Sequence, residues 1–277
     1  MDAQVKEDAP GDAARSALLE TIFERYHYDF RRYAEASLKR RLDSAVVHLG
    51  CRDVAALTRR LLDEPLLFSE LLRFLTVQVS DLFRDPDYFR TIRQQIVPLL
   101  RTYPSLRLWV AGCATGEEAY SLAIVLLEEG LLDRAQIYAT DIHPSSLQVA
   151  AEGVYPLERF AQFSQNYLLA GGRGSLSDYY TASDSSAVLH RALKKSILFA
   201  DHSLATDSVF AEMELISCRN VLIYFERSLQ ERAVALLRDS LCRRGFLGLG
   251  AKESLRFTSQ APRFSEFAPE QRIYQRL

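Results

Sequence analysis

Two adjacent glutamates, Glu117 and Glu118, follow the run of small residues Ala111-Gly112-Cys113-Ala114-Thr115-Gly116, and Asp141 stands downstream. Glycines in such a run let the backbone turn sharply and come close to a ligand. Carboxylates in the first turn of the helix that follows would repel the pyrophosphate of a dinucleotide, whereas a sulfonium cofactor with a free amino group meets no such repulsion. Asp141 lies about 24 residues beyond Glu117, near the roughly 20-residue spacing at which an acid accepts hydrogen bonds from ribose hydroxyls in nucleotide folds. Each feature alone also has an ordinary reading, because first-turn glutamates stabilise a helix through its dipole and a glycine after a strand makes a common turn. Their conjunction is what points to a site.

The elements that must hold these residues are legible around them. Residues 106–111 read as a short strand, and Ala119, Leu122, Ala123, Leu126 and Leu127 form the buried stripe of a helix that Gly130 stops. A second strand over 136–140 and a helix over 145–152 follow. A strand over 214–218, a helix over 229–243, a strand over 245–251 and a closing hairpin partner within 263–277 complete the alternation of a doubly wound α/β domain. Residues 155–199 interrupt it with the loop Gly171-Gly172-Arg173-Gly174 and β-prone pieces at Tyr179-Tyr180-Thr181 and Ser196-Ile197-Leu198-Phe199, which predicts a small inserted subdomain over about 156–199.

Upstream, apolar spacing predicts helices over 18–26, 30–42, 54–62, 66–75 and 87–100, before Pro104 breaks the pattern. The expected organisation is a disordered tail over 1–14, a helical domain with its linker over 15–100, and the α/β domain over 101–277. A chain of 277 residues suits two domains. The 34 basic and 36 acidic residues nearly cancel, which excludes the broad positive field of a nucleic-acid binder. Cys51, Cys113, Cys218 and Cys242 form no CxxC, and His27, His48, His143, His190 and His202 have no metal-ligand spacing, so no metal is expected. Without an apolar run of membrane-span length or a signal region, the expectation is a cytoplasmic protein with no direct membrane insertion.

The segment from Trp109 to Ser121 resembles the WxAxCxTGEExYS signature of CheR-type chemotaxis receptor methyltransferases. The stretch Leu75-Thr76-Val77-Gln78-Val79-Ser80-Asp81-Leu82-Phe83-Arg84-Asp85-Pro86 is similar to the family's LTxNxTxFFRDP, and Ala139-Thr140-Asp141-Ile142 is similar to its cofactor-ribose strand end. Ser217-Cys218-Arg219-Asn220-Val221-Leu222-Ile223-Tyr224-Phe225 resembles its CRNxxIYF block, and two weaker blocks cover Phe199 to Leu204 and Gly250 to Leu255. The resemblance implies an N-terminal all-helical domain and a Rossmann-like S-adenosylmethionine-dependent methyltransferase domain with a small inserted antiparallel β subdomain. It implies a protein-glutamate O-methyltransferase that methylates glutamate side chains on the cytoplasmic domain of methyl-accepting chemotaxis receptors and leaves S-adenosylhomocysteine.

Carried over by position, the resemblance assigns Glu117 to the methionine portion of the cofactor and Asp141 to the ribose, with Gly112 in the loop between them. Ser203, Leu204, Arg219 and Asn220 fall around the adenine and the pocket floor, and Gln78, Ser80 and Arg84 stand where the family shows Asn, Thr and Arg. Gln78, Ser80, Leu82 and Ser203 depart from the family pattern, which bears on cofactor affinity and substrate geometry. Arg84 is the candidate for positioning the incoming carboxylate or bracing that of the cofactor, and Tyr224 for lining the methyl-transfer pocket. Arg31, Arg32, Lys39, Arg40 and Arg41 give the helical domain a basic face that charge patterning alone reads as solvated; the resemblance makes it a receptor-docking face. In some relatives the inserted subdomain captures a receptor peptide by strand addition, for which Tyr179, Tyr180 and residues 196–199 are the candidates. A monomer is expected. The rival readings are a methyltransferase on another substrate and a non-catalytic module that binds cofactor or receptor.

Overall fold

A computed structural model of the protein describes residues 9–277. The chain divides into two compact units, one running through Val77 and including Tyr224–Leu229, the other comprising Gln78–Ile223 and Gln230–Leu277.

The first unit holds α1 (Ala9–Tyr26), α2 (Glu35–His48), α3 (Val54–Asp63) and α4 (Leu67–Leu75). Asp53 caps α3 by accepting the Ala56 N–H at 2.7 Å. Leu18, Ile22, Leu42, Leu57, Leu61, Leu71 and Leu75 form its buried interior, and Tyr26 stacks on Phe68 with ring centroids 4.0 Å apart. Of the tail expected over 1–14, residues 1–8 lie outside the described residues and 9–14 are helical. Ala13 and Ala14 favour that state, and Arg15 pairs with Asp12 one turn back. The helix expected over 30–42 starts only at Glu35, because Tyr33 forms a bridge with Phe225 and the Ala34 N–H donates to the Tyr224 carbonyl at 2.8 Å.

The second unit opens with α5 (Pro86–Thr91), a π-helical stretch at Ile92–Ile96 and α6 (Val97–Leu100). It continues through β1 (Leu106–Ala111), α7 (Glu117–Glu128), β2 (Ala135–Asp141), α8 (Pro144–Glu152), β3 (Val154–Pro156), α9 (Phe160–Leu169), β4 (Tyr180–Ala182), β5 (Ser186–Leu189), α10 (Arg191–Lys194) and β6 (Ile197–Asp201). Then come β7 (Met213–Cys218), α11 (Arg227–Ser240), whose first turn groups with the other unit, β8 (Leu241–Leu249), β9 (Phe264–Ala268) and β10 (Ile273–Arg276).

The main sheet runs β6-β2-β1-β7-β8-β10-β9, with β10 antiparallel to both of its neighbours. Strand order reverses between β1 and β7, and a crevice beyond the carboxyl ends of strands at such a switch point is where open α/β sheets take ligands. A separate antiparallel sheet, β3-β5-β4, forms the inserted subdomain.

Three boundaries differ from the sequence reading. The compact α/β unit begins at Gln78 rather than 101, because Phe83, Tyr88, Phe89, Ile92, Ile96 and Leu100 are buried in its core. Residues 197–199, expected in the insert, belong to β6 and pair in parallel with β2. The helix expected to reach 243 ends at Ser240, since Leu241 is buried and pairs with Met213 of β7. Among the described residues no helix is long and apolar enough to cross a membrane.

Candidate cofactor site

The small-residue run forms a loop between β1 and α7 at the switch point. Gly112 and Gly116 both have positive φ, +75° and +93°, and a Cβ on Gly116 would sit 2.7 Å from the Cβ of Ala150. Ala114 shares this left-handed conformation at φ 48° although it is not glycine. Its N–H donates to Asp141 Oδ2 at 2.8 Å, while the His143 N–H donates to Oδ1 at 3.0 Å. The Gly112 and Cys113 N–H groups both donate to the Thr140 carbonyl. The end of β2 therefore pins the loop from below. Burial pushes the Asp141 carboxyl above the usual carboxylate range, against the pull of the backbone donors.

The two glutamates part company at the start of α7. Glu117 is fully buried, accepts from Thr115 Oγ1 at 2.7 Å and pairs with Arg159 at 2.9 Å. Burial raises its pKa, and Thr115 and Arg159 oppose the rise. Glu118 instead accepts from Arg219 at 2.9 Å and from the Ser217 hydroxyl, which also bonds the Tyr88 hydroxyl at 2.7 Å. Arg219 reaches Asp85 at 2.6 Å and the Arg84 carbonyl at 3.1 Å, and lies 4.2 Å from the Tyr88 ring centre. Phe83 and Asp85 both have positive φ, 55° and 56°. Strain of that kind persists where neighbours over-determine it, here Arg219 on Asp85 and the Ser121 hydroxyl accepting the Phe83 N–H at 2.8 Å.

The remaining expected residues are distributed unevenly. Asn220, at φ 61°, is held through Glu253, which accepts N–H bonds from Gly250, Asn220, Val221 and Ile223 at 2.6, 2.9, 2.9 and 3.3 Å. Ser203 and Leu204 stand in the loop after β6, where the Ser203 N–H donates to Asp207 at 2.9 Å and Leu204 is buried. The Gln78 side-chain oxygen is buried with no hydrogen-bond partner in the protein, the Ser80 carbonyl accepts from Arg159, and the Arg84 guanidinium reaches the Val79 carbonyl at 3.5 Å. Tyr224 groups with the helical unit, where the Arg41 guanidinium lies 4.5 Å from its ring centre.

The basic face divides as well. Arg31 pairs with Asp29 at 2.9 Å and Glu20 at 3.1 Å and covers the Phe23 ring, and Arg41 donates to the Leu75 carbonyl at 2.7 Å. Arg32 and Arg40 are exposed and Lys39 is half-buried. Arg159 and Glu253 were not anticipated from the sequence. Glu253 lies inside the Gly250 to Leu255 block that resembles the family's, whereas Arg159 lies in no motif and owes its role to the packing of the insert.

The loop thus brings Gly112, Glu117 and Asp141 together, and it presents carboxylate acceptors where a phosphate-binding helix would present bare N–H donors. Such a set suits a cationic ligand with hydroxyls. Residues 78–270 match the family model described as "CheR methyltransferase, SAM binding domain", and residues 14–76 match "CheR methyltransferase, all-alpha domain". Cher3 of Pseudomonas putida KT2440, which bears a methyltransferase name, is 52% identical over 94% of this chain and 95% of its own. A chemotaxis protein methyltransferase of Listeria innocua is 31% identical over 82% of this chain and 84% of its own. Chemotaxis protein methyltransferase 2 of Pseudomonas aeruginosa is 35% identical over 59% of this chain and 60% of its own. A match along both units, joined to the buried acids that flank the glycine loop at the switch point, leaves one conclusion: the chain belongs to the CheR methyltransferase family and takes S-adenosylmethionine as its cofactor.

Proposed function

We propose that the protein transfers the methyl group of S-adenosylmethionine to glutamate side chains on the cytoplasmic domain of methyl-accepting chemotaxis receptors, forming methyl esters in the cytoplasm. The observation that carries this reading is the pair of buried carboxylates, Glu117 and Asp141, tied to the two sides of one glycine loop. Glu117 takes the cofactor's ammonium and Asp141 its ribose hydroxyls. The family resemblance assigns Ser203, Leu204, Asn220 and Gln78, whose buried side-chain oxygen has no hydrogen-bond partner in the protein, to the same site. The names of the relatives support chemotaxis as the setting.

When bound, S-adenosylmethionine supplies an electrophilic methyl on a cationic sulfur. A glutamate acceptor has a reference pKa of about 4.3 and is already ionised near neutral pH, so no general base is required of the chain. What the protein contributes is alignment and removal of water, and orientation of this kind can recover roughly 7–11 kcal/mol of a barrier. Arg84, next to the strained Asp85, is the positioning candidate for the acceptor carboxylate. Arg32, Lys39 and Arg40 form the part of the basic face that meets an acidic receptor bundle, with Arg31 and Arg41 serving the helical unit itself.

Purified protein, labelled S-adenosylmethionine and a receptor cytoplasmic fragment test the reading. The expected product is receptor label that mild alkali releases as methanol. Label that survives alkali, or a fragment that takes up none, rejects the glutamate-ester assignment.

A further inference from the structure

Glu117 opens α7 with no exposure to solvent, and the inserted subdomain supplies its cation. Arg159, in the turn between β3 and α9, places Nη1 2.9 Å from the carboxylate. The same guanidinium reaches Asp81 at 3.1 Å, donates to the Ser80 carbonyl, and lies 4.7 Å from the centre of the Phe163 ring. It is thereby fixed by the segment before α5, by α7 and by α9 together. A buried carboxylate denied such a partner takes up a proton in preference to staying charged.

We infer that Arg159 is a positioning residue for the cofactor, supplying the counter-charge that fixes the Glu117 carboxylate for the ammonium group of S-adenosylmethionine. This rests on the reading of the crevice given above. It also gives the insert a part in cofactor binding separate from any contact with a receptor.

The other titratable groups facing Glu117 cannot replace Arg159. Tyr155 of β3, Tyr120 of α7 and Cys113 of the loop are kept protonated by burial. Glu118 is engaged by Arg219, and Asp81 is a second acid on the same guanidinium. Among the described residues, Arg159 is the basic side chain paired with Glu117.

The test uses Arg159→Gln and Arg159→Lys in the full chain, with calorimetric titration of S-adenosylhomocysteine and of 5′-methylthioadenosine between about pH 6 and pH 8. The second ligand keeps the nucleoside and lacks the amino acid. For Arg159→Gln, S-adenosylhomocysteine is expected to bind roughly tenfold more weakly at pH 7, to regain affinity as pH rises, and to leave methylthioadenosine binding unchanged. Arg159→Lys keeps the wild-type pH midpoint. Unchanged affinity and pH profile in Arg159→Gln, equal loss of both ligands, or a midpoint raised equally in both variants overturns the inference. Wild-type protein that binds neither ligand overturns the cofactor reading itself, a result distinguishable from those three.

Discussion

The Arg219 guanidinium stands 2.9 Å from the Glu118 carboxylate and 2.6 Å from that of Asp85, so the second glutamate of α7 is bound inside the fold while the first faces Arg159. The two acids that the sequence presents as a pair therefore do different work. Removing one partner of a buried ion pair costs about 3–5 kcal/mol because the other charge is left uncompensated. Arg219→Ala is expected to lose about that much stability, read by urea unfolding. A loss below about 1 kcal/mol would place Arg219 outside the frame of the site.

Glu117 gives a pH dependence with a defined sign. Because burial raises its pKa in the free protein, its favourable contribution to stability is present below the ordinary carboxylate range and is lost as pH rises through the raised value. A bound ammonium favours the ionised form and reverses that loss. The rise in Tm on adding S-adenosylhomocysteine should thus grow as pH rises through the raised value. Scanning calorimetry checks this, with Glu117→Gln expected to flatten the trend.

Gly116→Ala tests the loop. At φ +93° an L side chain costs roughly 1–2 kcal/mol, and its Cβ would also meet Ala150 at 2.7 Å, backbone included at 3.1 Å. A total destabilisation of about 2–4 kcal/mol is expected from denaturant titration. Wild-type stability would mean that the loop adopts another path.

Charge reversals separate docking from folding on the basic face. Arg40→Glu should weaken receptor-fragment association, with the difference from wild type shrinking as salt is added, and leave Tm unchanged. Arg41→Glu should lower Tm by itself, since Arg41 is half-buried beneath Tyr224 and bonded to the Leu75 carbonyl at 2.7 Å. Its stability cost should be about 1–3 kcal/mol.

The residue pattern alone was enough to place the strand, glycine loop and helix around Glu117, the acid at the end of β2, and the helical character of the first third of the chain. Those features are local: period, turn chemistry and helix-end charge act over a few residues. Long-range packing decided the rest. Residues 197–199 read like part of the insert until β2 claims Ile197–Asp201 as a parallel neighbour, and the helix over 87–100 reads as part of the helical domain and its linker until its apolar side chains enter the α/β core. The assignment of Glu117 to Arg159, of Glu118 to Arg219, and of the Asn220, Val221 and Ile223 N–H groups to Glu253 depends on partners 42, 101 and 30 to 33 residues apart in the chain. A sequence states which charges exist; only the folded chain brings a particular cation to a particular buried acid, because that pairing is set by the desolvation the fold imposes on both.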